Sequence, residues 1–115
     1  MMQEKCEELI VLLTKMIDDF DPHWQKNFIH ARAVMQAADW NDGESVRVAV
    51  DAVLGMYGGM GALDDMFIST IKHQYGWSDL KAAEFDECRG RLRSLALEVK
   101  YAAYDSFKEQ ARKEG

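Results

Sequence analysis

Histidine, cysteine, serine and carboxylate side chains are the groups in this chain that could support catalysis or metal binding, and their spacing favours neither. His23 and His30 lie two helical turns apart, about 10 Å along a helix axis, and no CxxC, HExxH or ExxH pattern is present. No serine has the glycine context of a nucleophile elbow. We therefore expect a protein without enzymatic activity, with no catalytic residue, no metal site and no cofactor.

Three glycines lie within four residues, at Gly58, Gly59 and Gly61, in a chain that otherwise has helical patterning. Glycine is used where φ is positive or where another group approaches the backbone closely. Asp64 and Asp65 follow, where a phosphate-binding loop would have lysine and serine or threonine. The segment predicts a structural loop, with a positive φ at Gly58 or Gly59.

Charge is unevenly distributed along the chain, whose formal net charge is −6. From residue 39 to 65, six acidic residues accompany one arginine, a balance of −5, whereas from residue 88 to 115 seven basic residues outnumber four acidic ones, a balance of +3. An acidic middle argues against nucleic acid as a partner and favours a basic protein. A requirement for solubility alone would explain the same charge.

Aromatic side chains accompany these acids. Trp40 lies between Asp39 and Asp42, and Tyr57 directly precedes the glycines. Aromatic residues are typical of the centre of a protein interface, although the same residues could instead pack against helix ends. The predicted partner-binding residues are Asp39, Trp40, Asp42, Glu44, Tyr57, Asp64 and Asp65.

Composition indicates one globular domain. The 115 residues are 48% hydrophobic and 30% charged, with a single proline, a profile that permits a substantial core. No apolar run approaches the roughly 20 residues of a membrane span, and the acidic N-terminal residues do not look like a secretory signal. We expect a cytoplasmic protein that does not contact a membrane, with Cys6 and Cys88 buried and reduced.

The apolar periodicity predicts an all-α fold: a single-domain, irregular bundle of about five helices with a long C-terminal helix. The predicted helices cover residues 3–20, 22–39, 46–57, the segment from about 65 to 75, and 78–112. Residues 46–50 also alternate as a strand would, but no second strand-like run exists to pair with them.

Turn chemistry predicts how these helices begin and end. Gly43 is expected in the left-handed region and Gly58 directly after the third helix. Asp64 or Asp65 is expected to cap the fourth helix, which Gly76 ends. The last two signals are Ser78, which is expected to cap the long helix, and Gly90, which favours a bend within it.

Residues 57–66 resemble the shared segment of a family of small, mostly bacterial proteins of unknown function. That segment reads roughly Tyr-Gly-Gly-Met-Gly-Ser-hydrophobic-Asn-Asp-hydrophobic, and Ala62 and Asp64 depart from it. The pair His23-Trp24 and the long last helix match the family's layout. The resemblance implies an all-α fold, and the similarity of such small acidic bacterial domains to immunity proteins implies a partner toxin.

We therefore expect a protein-binding module of the immunity type, which neutralises a basic toxin domain through an acidic, aromatic surface. One alternative is a small-molecule-binding or enzyme-associated domain centred on the loop at residues 58–61. The other is a self-associating helical protein, for example a homodimer. This alternative is based on Leu97, Tyr101 and Tyr104, which lie outside the main apolar stripe of the last helix.

Overall fold

The computed structural model describes residues 2–20, 24–58, 63 and 67–114, with the backbone alone at 107, 110, 111 and 114. Five helices form the described part of the chain: α1 (Met2–Asp19), α2 (Gln25–Ala37), α3 (Gly43–Leu54), α4 (Ile68–Tyr75) and α5 (Asp79–Glu114). The prediction of an all-α bundle with a long C-terminal helix is confirmed. Residues 46–50, which alternate as a strand would, belong to α3.

The helices α1, α2, α3 and α5 enclose one core, to which α4 adds Ile71. α1 contacts α2 and α5, and α3 also contacts α2 and α5, while α4 packs on α5. Ion pairs from Lys15 to Glu84 and from Glu8 to Arg91 show that α1 and α5 are antiparallel. The largest fully buried side chains are Phe20, Phe28, Phe85, Leu9, Leu13, Met16, Met35, Leu63, Ile71, Leu92, Leu95 and Val46. The molecule extends 56 Å along its longest axis, because α5 alone is about 54 Å long at 1.5 Å per residue.

The turn before α3 differs from its prediction. Gly43 is the first residue of α3 and is buried, and it is not among the glycines with positive φ. The reason is the N-cap at Asp42, whose extended backbone and carboxylate already set the direction of the helix. The turn therefore needs no left-handed residue.

The end of α3 also differs. The helix ends at Leu54 and Gly55 caps it with φ −64° and ψ −15°, so Gly58 lies beyond the position directly after the helix. Hydrogen bonds that span three residues, from Met56 N to Val53 O and from Tyr57 N to Leu54 O, carry the chain through a tighter turn. Gly58 then has φ +79°, which confirms the prediction of a positive φ.

The start of α4 corrects a predicted cap. Phe67 is its N-cap and gives no side-chain bond, whereas the predicted caps Asp64 and Asp65 lie outside the described residues. Gly76 ends α4, as predicted, and it does so in the left-handed region with φ +64°.

The long helix α5 begins and ends within two residues of its predicted bounds. Ser78 Oγ accepts a hydrogen bond from Lys81 N at 3.1 Å, which is the predicted cap. Beyond it, α5 continues without a break through Gly90 to Glu114. The long packed faces against α1 and α3 outweigh the modest helix penalty of one glycine.

Candidate partner-binding site

The turn between α2 and α3 holds Asp39, Trp40, Asp42 and Glu44, which we call the acidic corner. Asp42 Oδ1 accepts a bond from Glu44 N at 3.2 Å, which caps α3. Asp39 Oδ1 accepts from Asn41 N at 3.0 Å, and Asp39 N donates to Ser45 Oγ at 3.0 Å. Each aspartate thus uses one carboxylate oxygen to shape the turn, while its side chain stays exposed.

Trp40 is half-buried at this corner and packs against the core. Its indole Nε1 donates a hydrogen bond to Met35 O at 2.9 Å, near the end of α2. This contact closes the last turn of α2, which is the helix-end role considered for the aromatic residues. The ring is only partly buried and lines a recess with Asp39, so the same side chain can also contact a partner.

The carboxylates of the acidic corner differ in their pairing. Glu44 accepts two bonds from Arg47, at 3.2 and 2.7 Å, and this guanidinium lowers the pKa of Glu44. Asp39 and Asp42, by contrast, form no ion pair with any residue that the structure describes. The uncompensated negative charge of the corner is therefore that of the two aspartates.

A shallow recess of about 310 Å³ lies beside the acidic corner. Its lining residues are Gln3, Gln36, Ala38, Asp39, Trp40 and Asn41. A carboxylate, an indole ring and side-chain amides around one depression can hold the cationic end of a lysine or arginine side chain. The corner therefore offers a concave surface for a basic side chain as well as negative charge.

Tyr57 does not belong to this surface. It follows the C-terminus of α3, whereas the acidic corner lies at its N-terminus, about 18 Å away along a 12-residue helix. Its side chain is only 9% exposed, because the ring packs into the core and its hydroxyl bonds to α5. We therefore remove Tyr57 from the partner-binding set.

The other residues of the predicted site lie in the sequence at or just after residues 58–61, which we call the glycine loop. Gly58 is exposed and turns the chain with its positive φ. Gly59, Gly61, Asp64 and Asp65 lie outside the described residues. Gly58 thus has the structural role that was predicted for it.

Arg89 contacts the chain before and after the glycine loop, at Tyr57 and Leu63, and was not identified from the sequence. Its Nη1 donates to Leu63 O at 3.1 Å, while Leu63 is fully buried and its N donates to Met56 O at 2.8 Å. Asp86 pairs with the same guanidinium at 2.8 Å, and only 12% of the Arg89 side chain is exposed. In the sequence, Asp86 and Arg89 have the three-residue spacing of an ordinary ion pair on a helix surface. The contact between Arg89 and Leu63 becomes visible only in the folded structure.

A second recess of about 310 Å³ lies between α2 and α3, where the glycine loop begins. Trp24, Asn27, His30 and Gly55 are among its lining residues. Asp51 also lines it, but Lys100 at 3.2 Å and Arg47 at 3.9 Å compensate that carboxylate. Gly58 is not among its lining residues, so this recess adjoins the start of the loop on which the small-molecule role was predicted to centre.

Three further properties bear on the chemistry of the described residues. No group of three or more histidine, cysteine, aspartate or glutamate side chains in that part of the chain is arranged to hold a metal ion. No described helix combines the length and apolar character that crossing a membrane requires. Cys6 and Cys88 are buried free thiols, as predicted, and burial raises the pKa of each.

Comparison with known proteins finds no match to this chain among protein-family models, curated proteins or solved structures. The resemblance of residues 57–66 to a bacterial family therefore stays a prediction, and any function has to be argued from the geometry.

Proposed function

We propose that this protein is a protein-binding module of the immunity type, which binds and occludes a basic toxin through the acidic corner. The observation that carries the proposal is that Asp39 and Asp42 are exposed and have no ionic partner among the described residues. Asp39 also lines a recess together with Trp40. A carboxylate in that setting gains an ion pair when a basic side chain arrives.

The two parts of the corner have different roles in binding. The charges of Asp39 and Asp42 accelerate encounter with a positively charged surface, an effect that salt weakens. Insertion of a lysine or arginine side chain beside the Trp40 ring removes water and slows dissociation. Glu44 contributes less charge because Arg47 already holds it.

Asparagine replacements test the acidic corner without removing its caps. Asparagine caps a helix about as well as aspartate, so Asp39→Asn/Asp42→Asn should remove charge and keep the turn. The matched control is Glu7→Gln/Asp18→Asn, because these exposed α1 carboxylates also lack an ion pair with a described residue. Both variants change the net charge by two.

Each protein would serve as bait in extracts of its native cell, and the captured protein would then be purified. We expect a basic protein that binds wild type and the control equally and associates at least about tenfold more slowly with the corner variant at low salt. The captured protein should arrest growth when expressed alone, and wild type should restore it better than the corner variant. Equal association with all three baits would exclude the acidic corner as the binding site.

A small-molecule or enzyme-associated role is the second candidate, favoured by the recess that contains Asn27 and His30. Native mass spectrometry of gently purified protein would then show a bound compound. Asn27→Ala/His30→Ala should lose that compound, while the corner variant should retain it. Loss of the compound in the corner variant alone would place the ligand at the acidic corner instead.

A further inference from the structure

The outward face of α5 carries aromatic residues that the bundle does not cover. Tyr101 is 66% exposed and Tyr104 is 48% exposed, and Leu97 lies on the same face by its helical spacing. The residues of α5 that pack into the core, including Leu92, Val99 and Ala103, lie on the opposite side of the helix. The two tyrosines therefore need a partner from outside the chain to be buried.

The spacing of this face is that of a coiled-coil seam. Residues 94, 97, 101, 104 and 108 alternate steps of three and four, which is the a and d pattern of a heptad repeat. Lys108 continues the seam with its apolar stem, since its Nζ lies 5.5 Å from the centre of the Tyr104 ring. The seam is short, with an apolar centre at Leu97, Tyr101 and Tyr104.

The charged residues that flank the seam would face opposite charges on a second copy of the chain if the two α5 helices were parallel. In a parallel, in-register pair each g residue faces the e residue of the following heptad on the other chain. That rule sets Arg93 against Glu98 of the other copy and Lys100 against its Asp105. Both pairs have opposite charges. An antiparallel pair would set e against e, and so Glu98 near Asp105.

Most of these flanking charges are available. Arg93, Glu98 and Asp105 are exposed and form no ion pair with a described residue of their own chain. Lys100 bonds Asp51 at 3.2 Å and remains partly exposed, so it can contact a second carboxylate.

We propose that two copies of this chain associate through the outer faces of α5, parallel and in register, with Tyr101 and Tyr104 against their own counterparts. Aromatic pairs and four interchain ion pairs stabilise the contact, while two Lys108 side chains at one a layer oppose it. The small interface makes a weak dimer. The proposal does not depend on the acidic corner.

Sedimentation equilibrium measures the association directly. The apparent mass should rise from 13.2 kDa towards twice that value as the protein concentration increases into the millimolar range. Tyr101→Ser/Tyr104→Ser should stay monomeric and keep its helical circular dichroism, because both side chains lie outside the core. Val11→Ser, which changes an exposed residue of α1, should associate as wild type does. A wild-type protein that is monomeric throughout would overturn the proposal.

Charge exchange tests the pairing. Arg93→Glu places like charges opposite Glu98 twice in each dimer, and should weaken association roughly fivefold at low salt. Arg93→Glu/Glu98→Arg restores opposite charges across the interface and should recover the wild-type dissociation constant. Equal weakening of both variants would exclude this register.

A disulfide tests the orientation. Under mild oxidation Tyr101→Cys should cross-link to its own copy, against a low background because Cys6 and Cys88 are buried. Mixed with a size-tagged Tyr104→Cys chain, it should give no preferred cross-link between the two variants. A preference for 101-to-104 cross-links would show an antiparallel pair and contradict the proposal.

Discussion

The hydroxyl of Tyr57 donates a 2.7 Å hydrogen bond to the main-chain carbonyl of Arg89, joining residues that are 32 positions apart. The Arg89 side chain forms a second hydrogen bond, in which Nη1 donates to Leu63 O at 3.1 Å. The chain on either side of the glycines is thus held against the middle of α5. Arg89 therefore contacts the described residues on both sides of the glycines.

Replacing Tyr57 with phenylalanine should lower the free energy of unfolding by about 1 kcal/mol, since the ring stays buried while one partly buried hydrogen bond is lost. Urea denaturation would measure the change. Tyr101→Phe is the control, because that hydroxyl is on an exposed ring, and its midpoint should equal that of wild type. Equal stability of the Tyr57 variant would mean that the bond to Arg89 does not contribute to stability.

Gly58→Ala should destabilise the protein by about 1 kcal/mol or more, because a Cβ is disfavoured at φ +79°. A Cβ built at this position meets no atom within 4 Å, so the cost is conformational rather than steric crowding. Thermal unfolding followed by circular dichroism would test it. An unchanged or higher melting temperature would contradict the requirement for glycine.

Gly90→Ala should have the opposite effect and raise stability by up to about 1 kcal/mol, because alanine is the better helix former inside α5. Nothing lies within 4 Å of a Cβ at this position. The same thermal measurement applies, with Gly58→Ala as the comparison of opposite sign. A lower melting temperature would indicate that α5 needs the freedom of glycine there.

Asp42 should contribute to stability as a cap rather than as a charge. Asp42→Ala removes the bond to Glu44 N and should cost about 1 kcal/mol, whereas Asp42→Asn should change stability by only a few tenths. This result would also validate the asparagine variants used on the acidic corner. Equal losses for both substitutions, measured in urea, would assign the effect to the charge.

The thiols of Cys6 and Cys88 should react slowly with a disulfide reagent at pH 8 in the folded protein and rapidly after unfolding. Burial raises the pKa of both, so the reactive thiolate is scarce as well as covered. The neutral buried thiol stabilises the fold fully below its unfolded pKa of about 9, and this contribution is lost as the pH rises through the higher folded value. Fast labelling of either thiol under native conditions would show local opening.

Local patterns in the sequence were enough to predict much of the fold. The helical periodicity that Cys6, Leu9 and Leu13 begin predicts α1, and the same argument predicts α5 with its Ser78 cap. Gly58 and Gly76 were predicted as special backbone positions and have positive φ. These features depend on interactions among residues close in sequence, which the sequence displays directly.

Only the tertiary structure decided which predicted residues could form a site. Tyr57 and Trp40 are both aromatic residues near acids in the sequence, yet they lie at opposite ends of α3. Burial against α5 also removes Tyr57 from the surface. Arg89 carried no local signal, because its contacts lie 26 and 32 residues away along the chain. Burial and long-range hydrogen bonds depend on how helices pack against each other, and spacing within one helix does not encode that arrangement.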